Sequence, residues 1–177
     1  MKVLKKIQKI VFLVIYYAVA SKLPNYSFPG GRFYNWLRVV SLKNIIKIGA
    51  DCRIMRDIYI GNGNNVEIGH HCRINEKVRL NNVRIGNHVM IARESIFLGK
   101  MHEFGDISVP MEQQGSKETS PIVIEDDVWI GLRVLVMPGL IIRKGSIIAA
   151  GAVLTKETQT NGVYAGVPAN KIRKRTQ

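Results

Sequence analysis

Aliphatic residues recur at every sixth position between Ile122 and Leu154. Ile124, Ile130, Val136, Ile142, Ile148 and Leu154 carry the period, and the position four residues after each anchor is compact: Val128, Val134, Leu140, Ser146 and Ala152. A helix of about 3.6 residues per turn cannot hold every sixth residue on one stripe. A coil with three short flat faces can. Each six-residue segment supplies one face and a bend, so three segments close a turn. Ile124 then lies under Ile142, Ile130 under Ile148 and Val136 under Leu154. Successive turns pair as parallel strands roughly 4.8 Å apart, which is a parallel β-helix.

The spacing extends back through Ile48, Ile54, Ile60, Ile68, Ile74, Leu80, Ile85, Ile91 and Phe97. It lengthens to eight at Ile60–Ile68 and shortens to five at Leu80–Ile85. Both places carry residues that tolerate positive φ, Gly61-Asn62-Gly63-Asn64-Asn65 and Asn81-Asn82. Nine anchors here and six later make fifteen, or five coils of three. The predicted fold class is all-β, with a solenoid over residues 45–160, a helical extension over 1–44 that caps it, and a basic segment over 161–177 that leaves the coil. Between Phe97 and Ile122 the period stops. An excursion as long as 98–121 inside a regular solenoid is usually functional.

Met1 to Leu23 reads as a helix with Lys2, Lys5, Lys6 and Lys9 on one face of its first turns. The uncharged run Ile10–Ala20 falls short of the roughly 20 residues that span a bilayer, and Ser21-Lys22-Leu23-Pro24 is a poor cleavage site. Two placements remain: packed on the β-helix or another subunit, or lying in a membrane interface with lysines toward acidic head groups. After the breaker Pro24–Gly31, the residues Phe33, Trp36, Leu37 and Val40 predict an amphipathic helix over Arg32–Leu42 that turns this face onto the first coil.

The net charge of +13 is unevenly spread. Residues 1–50 hold nine Lys or Arg and no carboxylate, and Lys171, Arg173, Lys174 and Arg175 form a second cluster. Anionic partners follow. Nucleic acid does not, because no such motif is present and the aromatics are not interleaved with the basic residues. Cys52 and Cys72 take the compact inward position and are expected to be buried thiols.

Four blocks narrow the reading further: Val128-Trp129-Ile130-Gly131, Met137-Pro138-Gly139, Gly151-Ala152-Val153-Leu154-Thr155-Lys156 and Ala165-Gly166-Val167-Pro168-Ala169. Over roughly residues 45 to 175 the chain resembles the hexapeptide-repeat acyltransferases, including galactoside, maltose and xenobiotic O-acetyltransferases and especially the capsule and exopolysaccharide enzymes. The resemblance implies a left-handed coil; ordinary parallel crossovers are right-handed. It also implies acetyl-CoA as co-substrate, no metal, a homotrimer with its active site between prisms, and transfer to a sugar hydroxyl. With the N-terminal helix, a cell-surface polysaccharide or its lipid-linked precursor is the expected acceptor, met in the cytoplasm at the inner face of the membrane.

The chemistry needs a base for the alcohol proton, and an imidazole titrates in the useful range. His70, His71 and His88 fall in bends, whereas His102 alone lies in the excursion and matches the family's catalytic histidine. Glu103 or Asp106 could orient it. By resemblance, the backbone N–H of Leu132 is the oxyanion donor and Asn75 binds the acceptor. Trp129, Gly131, Ala150, Thr155, Lys156, Ala165, Gly166, Pro168 and Arg173 line the cofactor path. Rival readings are transfer to a small soluble sugar or antibiotic, a zinc-binding γ-type carbonic anhydrase, for which His102 lacks a paired histidine, and a non-catalytic spacer.

Overall fold

The computed structural model describes residues 2–175; Met1, assigned above to the first helix, and residues 176–177 of the basic segment lie outside the described residues. The chain winds into a three-faced prism. The first face stacks the strands Lys47–Ile48, Val66–Ile68, Val83–Ile85, Ile122–Ile124 and Ile141–Ile142, all parallel, which sets five coils. The second stacks Arg53–Ile54, Arg73–Ile74, Met90–Ile91, Trp129–Ile130, Ile147–Ile148 and Gly162–Gly166. On the third lie Arg79–Leu80, Ile96–Phe97, Leu135–Val136 and Val153–Leu154, with Tyr59 bridging Arg79.

Register follows the six-residue period. Ile124 pairs with Ile142, Ile130 with Ile148 and Val136 with Leu154. Ile54, Ile74, Ile91, Ile130 and Ile148 are almost wholly buried, as are the compact residues Val128, Val134, Ser146 and Ala152. Both thiols are buried and free; Cys52 Sγ lies 3.2 Å from Gly69 O and Cys72 Sγ 3.1 Å from Gly86 O. The corners demand left-handed backbone. Asp51, His71, His88 and Asp127 stack at one corner with φ of 55, 58, 58 and 58°, and Asp57, Lys77, Glu94 and Arg133 at the next with 57, 56, 62 and 54°. The short polar side chains at the first corner tolerate this conformation well.

The solenoid continues past residue 160. Gly162–Gly166 adds a further parallel rung beside Ile147–Ile148, then folds back antiparallel on Ala169–Lys174. The basic segment is therefore a β-hairpin closing the second face, its strand edge satisfied by its own return.

At the other end the first coil's edge is closed by side chains. A helix over Lys2–Ala18 runs into a short 3₁₀ turn at Ala20–Lys22, and a second helix spans Gly31–Lys43. The Asn35 amide stands in for a strand, donating to Cys52 O and accepting from Ile54 N–H. Tyr16 and Tyr17 hydroxyls donate to Ile58 O and Gly61 O. The expected orientation of the second helix is corrected here. Phe33 and Trp36 are 57 and 56 % exposed and stack on each other at 5.8 Å, while Arg38, Ser41 and Leu42 are buried. Polar bonding explains the reversal: Arg38 donates to the Ile54 carbonyl on the open coil edge and to those of Ala20, Leu23 and Pro24 in the segment between the helices. Burial lowers its pKa from the ordinary arginine value, yet the guanidinium stays charged.

Arg38→Met keeps the apolar stem and leaves these buried carbonyls without a donor. Each unsatisfied buried group costs about 1–3 kcal/mol, so urea unfolding should show a loss of about 3 kcal/mol or more. An unchanged midpoint would show that the network contributes nothing.

Candidate active site

The sequence-predicted residues fall into two groups on two edges of the prism. Asn75, Gly131, Leu132 and Ala150 lie at the corner between the second and third faces, one above another along the axis. Gly131 is buried, and a Cβ there would come within 2.6 Å of Ala150 N, so only glycine lets the fourth coil approach the fifth. Gly151 N–H bonds Leu132 O at 2.7 Å. The Leu132 N–H has no partner among the described residues. The same holds for Glu76 and Arg93 at equivalent positions of lower coils, so an outward N–H is a property of this corner. Asn75 Nδ2 donates to Ile91 O at 3.1 Å, which ties the bend to the next coil.

The second group lies at the corner between the third and first faces. Here the chain leaves at Phe97 and returns at Ile122. Met101–His102 pairs antiparallel with Ser116–Lys117, so His102 sits on the stem of a hairpin and is exposed. The stem is tied to the coil by Thr119 Oγ1 donating to Gly99 O and Asn82 Nδ2 donating to Thr119 O. Thr155 and Lys156 are exposed at this corner two coils further on. Neither candidate carboxylate orients the His102 ring: among the described residues neither bonds to it. Asp106 instead accepts from the Ser108 hydroxyl at 2.6 Å and its N–H at 2.8 Å, and these bonds hold its carboxyl below the usual carboxylate range. Glu103 N–H pairs with Gly115 O across the hairpin.

Of the remaining cofactor-path residues, Trp129 is 49 % exposed on the second face, in register between Met90 and Ile147. Ala165, Gly166 and Pro168 form the tip of the closing hairpin, with a cis peptide at Val167–Pro168. Arg173 lies at its base, paired with Val163, exposed and without an ion pair among the described residues. Tip, Ala150 and Gly131 thus continue one edge, the Ala149 N–H bonding Tyr164 O.

An open hollow of about 390 Å³ on the second face brings Asn75 and Trp129 together with Arg53, Arg73, Met90 and Ala92. No loop residue lines it. A larger one of about 790 Å³ lies at the loop stem, between Lys100, Ser116–Thr119 and the asparagine-rich bends of the first two coils. Arg53 and Arg73 were not among the sequence candidates; the signal was arginine at the outward position of two successive coils. The bend histidines are structural: the His71 ring stacks on His88 at 4.8 Å, and His70 Nδ1 accepts the Ala50 N–H. No cluster of three or more His, Cys, Asp or Glu able to hold a metal occurs among the described residues.

The geometry defines a six-residue-repeat solenoid with one long excursion, at residues 98–121. The family pattern described as the hexapeptide repeat of succinyl-transferase matches residues 121–156. The galactoside O-acetyltransferase of Lactococcus lactis is 32% identical over 136 residues, covering 75% of this chain and 64% of that protein. The chain therefore spans just under two thirds of the length of that curated relative. A hexapeptide-repeat acetyltransferase of Vibrio cholerae superposes with a TM-score of 0.79 at 21% identity, over 98% of this chain and 93% of that one. A galactoside acetyltransferase solved in complex with coenzyme A gives 0.74 at 23%, over 97% and 81%. Over these spans the chain is similar to the hexapeptide-repeat acyltransferases, and its fold is the left-handed parallel β-helix.

Proposed function

We propose that the chain moves an acetyl group from acetyl-CoA to a sugar hydroxyl, with His102 as the general base. The observation that carries this is the single break in an otherwise regular solenoid, which holds one exposed histidine on a hairpin stem. The galactoside O-acetyltransferase relative and the neighbour solved with coenzyme A support it. Ala150, the open Gly151 beside it and the hairpin tip Ala165–Pro168 leave an unobstructed edge for pantetheine. Thr155, Lys156 and Arg173 add polar and cationic groups for its nucleotide end.

In the reaction the hydroxyl oxygen attacks the thioester carbonyl carbon while its proton passes to the His102 imidazole. The carbonyl oxygen takes up charge at the Leu132 N–H. Collapse breaks the carbon–sulfur bond, and the imidazolium returns the proton to the departing thiolate. Two edges of one prism cannot face each other, so a ring of three chains, each setting its loop against its neighbour's second corner, assembles the site. General-base catalysis contributes about 10²–10⁴-fold. His102→Ala should lower kcat for transfer to a soluble galactoside by about that factor while leaving coenzyme A binding, measured by calorimetry, unaltered. Full activity in this variant would refute the assignment.

The exposed face of the first helix supports a membrane-borne acceptor. It packs Phe12, Leu13, Tyr16 and Tyr17 inward and turns Val3, Leu4, Ile7, Val11 and Val14 outward, 48–72 % exposed. No helix among the described residues is long and apolar enough to cross a membrane. An apolar stripe on a segment rich in lysine and free of acid, beside exposed Phe28, Phe33 and Trp36, fits an anionic lipid surface. The acceptor is then a polysaccharide precursor carried at the inner face of the membrane. Deleting the helix would also remove the tyrosine caps, so the test is substitution. Ile7→Ser/Val11→Ser/Val14→Ser should lose at least about tenfold in affinity for vesicles containing phosphatidylglycerol and keep transfer to a soluble galactoside. Unchanged vesicle binding, or a wild-type oligomer that this variant halves in sedimentation, would assign the stripe to protein contact instead.

A further inference from the structure

The hollow on the second face carries a charge that the chain does not answer. Arg53 and Arg73 occupy the same register on adjacent coils, followed by Met90 and Trp129 on the next two rungs. Like charges directly opposed on neighbouring strands repel. Several other outward cations of the prism meet a carboxylate on the next coil: Lys47 meets Glu67 at 3.2 Å, Arg133 meets Glu94 at 2.7 Å and Arg143 meets Glu125 at 3.2 Å. Among the described residues, neither Arg53 nor Arg73 has a carboxylate partner or a side-chain hydrogen bond. Glu76, on the corner beside Arg73, is engaged by the Asn25 amide at 2.6 Å. Arg53 lies over the Tyr26 ring, 4.8 Å from its centre. That contact holds the guanidinium in place and leaves its positive charge uncompensated.

These two forks share the hollow with Asn75 and the flat ring of Trp129. An indole beside a polar amide suits the apolar face and hydroxyls of a sugar. Guanidinium forks match phosphate and carboxylate geometry, and strands roughly 4.8 Å apart let both close on one group. We propose that the hollow receives the acceptor and that Arg53 and Arg73 select one carrying an anionic group, phosphoryl or carboxylate, on the sugar that is acetylated. The inference rests on the transferase reading and adds the substrate class to it.

Three acceptors decide it: methyl galactoside, galactosyl phosphate and galacturonate, each with acetyl-CoA. The wild-type chain should favour at least one anionic sugar over the neutral one by about tenfold or more in kcat/KM, less so in high salt. Which anion wins distinguishes phosphoryl from carboxylate recognition. In Arg53→Gln/Arg73→Gln the ratio should fall to about one, and Arg53→Lys/Arg73→Lys should recover part of it. Calorimetric binding of galactosyl phosphate and of galacturonate without acetyl-CoA gives a second readout. If no sugar accepts acetyl, the transferase reading fails, and loss of anion binding in the glutamine pair still upholds the anionic site. Equal use of all three acceptors, or anion preference and binding that survive in the glutamine pair, would overturn the proposal.

Discussion

Each inward aliphatic rests on the inward residue of the coil below, and the rest of the molecule depends on that contact staying in register. Burying one isoleucine side chain contributes about 1.5–3 kcal/mol. A slip of one residue would turn a whole face's anchors to solvent. Ile54, Ile74, Ile91, Ile130 and Ile148 form one such column from the first coil to the fifth. The same column fixes the outward positions, which is why Arg53, Arg73, Met90 and Trp129 stand in line on the other side of the same strands. Phe97 stacks on Val136, so the chain can leave after Phe97 and return at Ile122 without breaking the stack. The excursion is therefore accommodated at little structural cost.

The two ends of the solenoid solve one problem by different means. At the upper end the chain folds back on itself, and Ala169–Lys174 satisfies the last rung. At the lower end no strand is available, and amide, phenol and guanidinium groups of the helices bond the exposed edge. Placing Arg38 there forces the second helix to turn Phe33 and Trp36 outward. The exposed apolar surface of the second helix is thus a consequence of how the first coil is capped.

The stacking partners, loop limits and the burial of Cys52 and Cys72 were legible because each follows from a six-residue period, whereas the further rung at Gly162–Gly166 lies past the last six-residue anchor. The irregular bends were legible too, since Gly61, Gly63 and Asn82 do take positive φ. The face of the second helix was not. Its apolar moment points at solvent, and a single buried arginine overrides it through carbonyls contributed by three separate segments. The role of Asp106 was equally hidden, because its carboxylate is spent on a local turn with Ser108 that spacing does not reveal. The motif blocks fall on two edges of the prism, Gly131, Ala150 and Ala165–Pro168 along one and Thr155 and Lys156 along the other. They said nothing of Arg53 and Arg73, whose meaning comes only from being in register and unpaired.

The central claim is that one site draws on two chains, His102 from the loop edge of one and the second corner of its neighbour. Mixing two inactive variants tests it most directly. His102→Ala removes the base, and Ala150→Trp fills the exposed cofactor edge without entering the core. Refolded together, the two should regain a substantial fraction of wild-type acetyl transfer, because mixed rings contain sites in which both halves are native. Mixing the double variant with either parent should restore none. If the two single variants stay inactive together while mixed rings are shown to form, the site lies within one chain and the account is wrong.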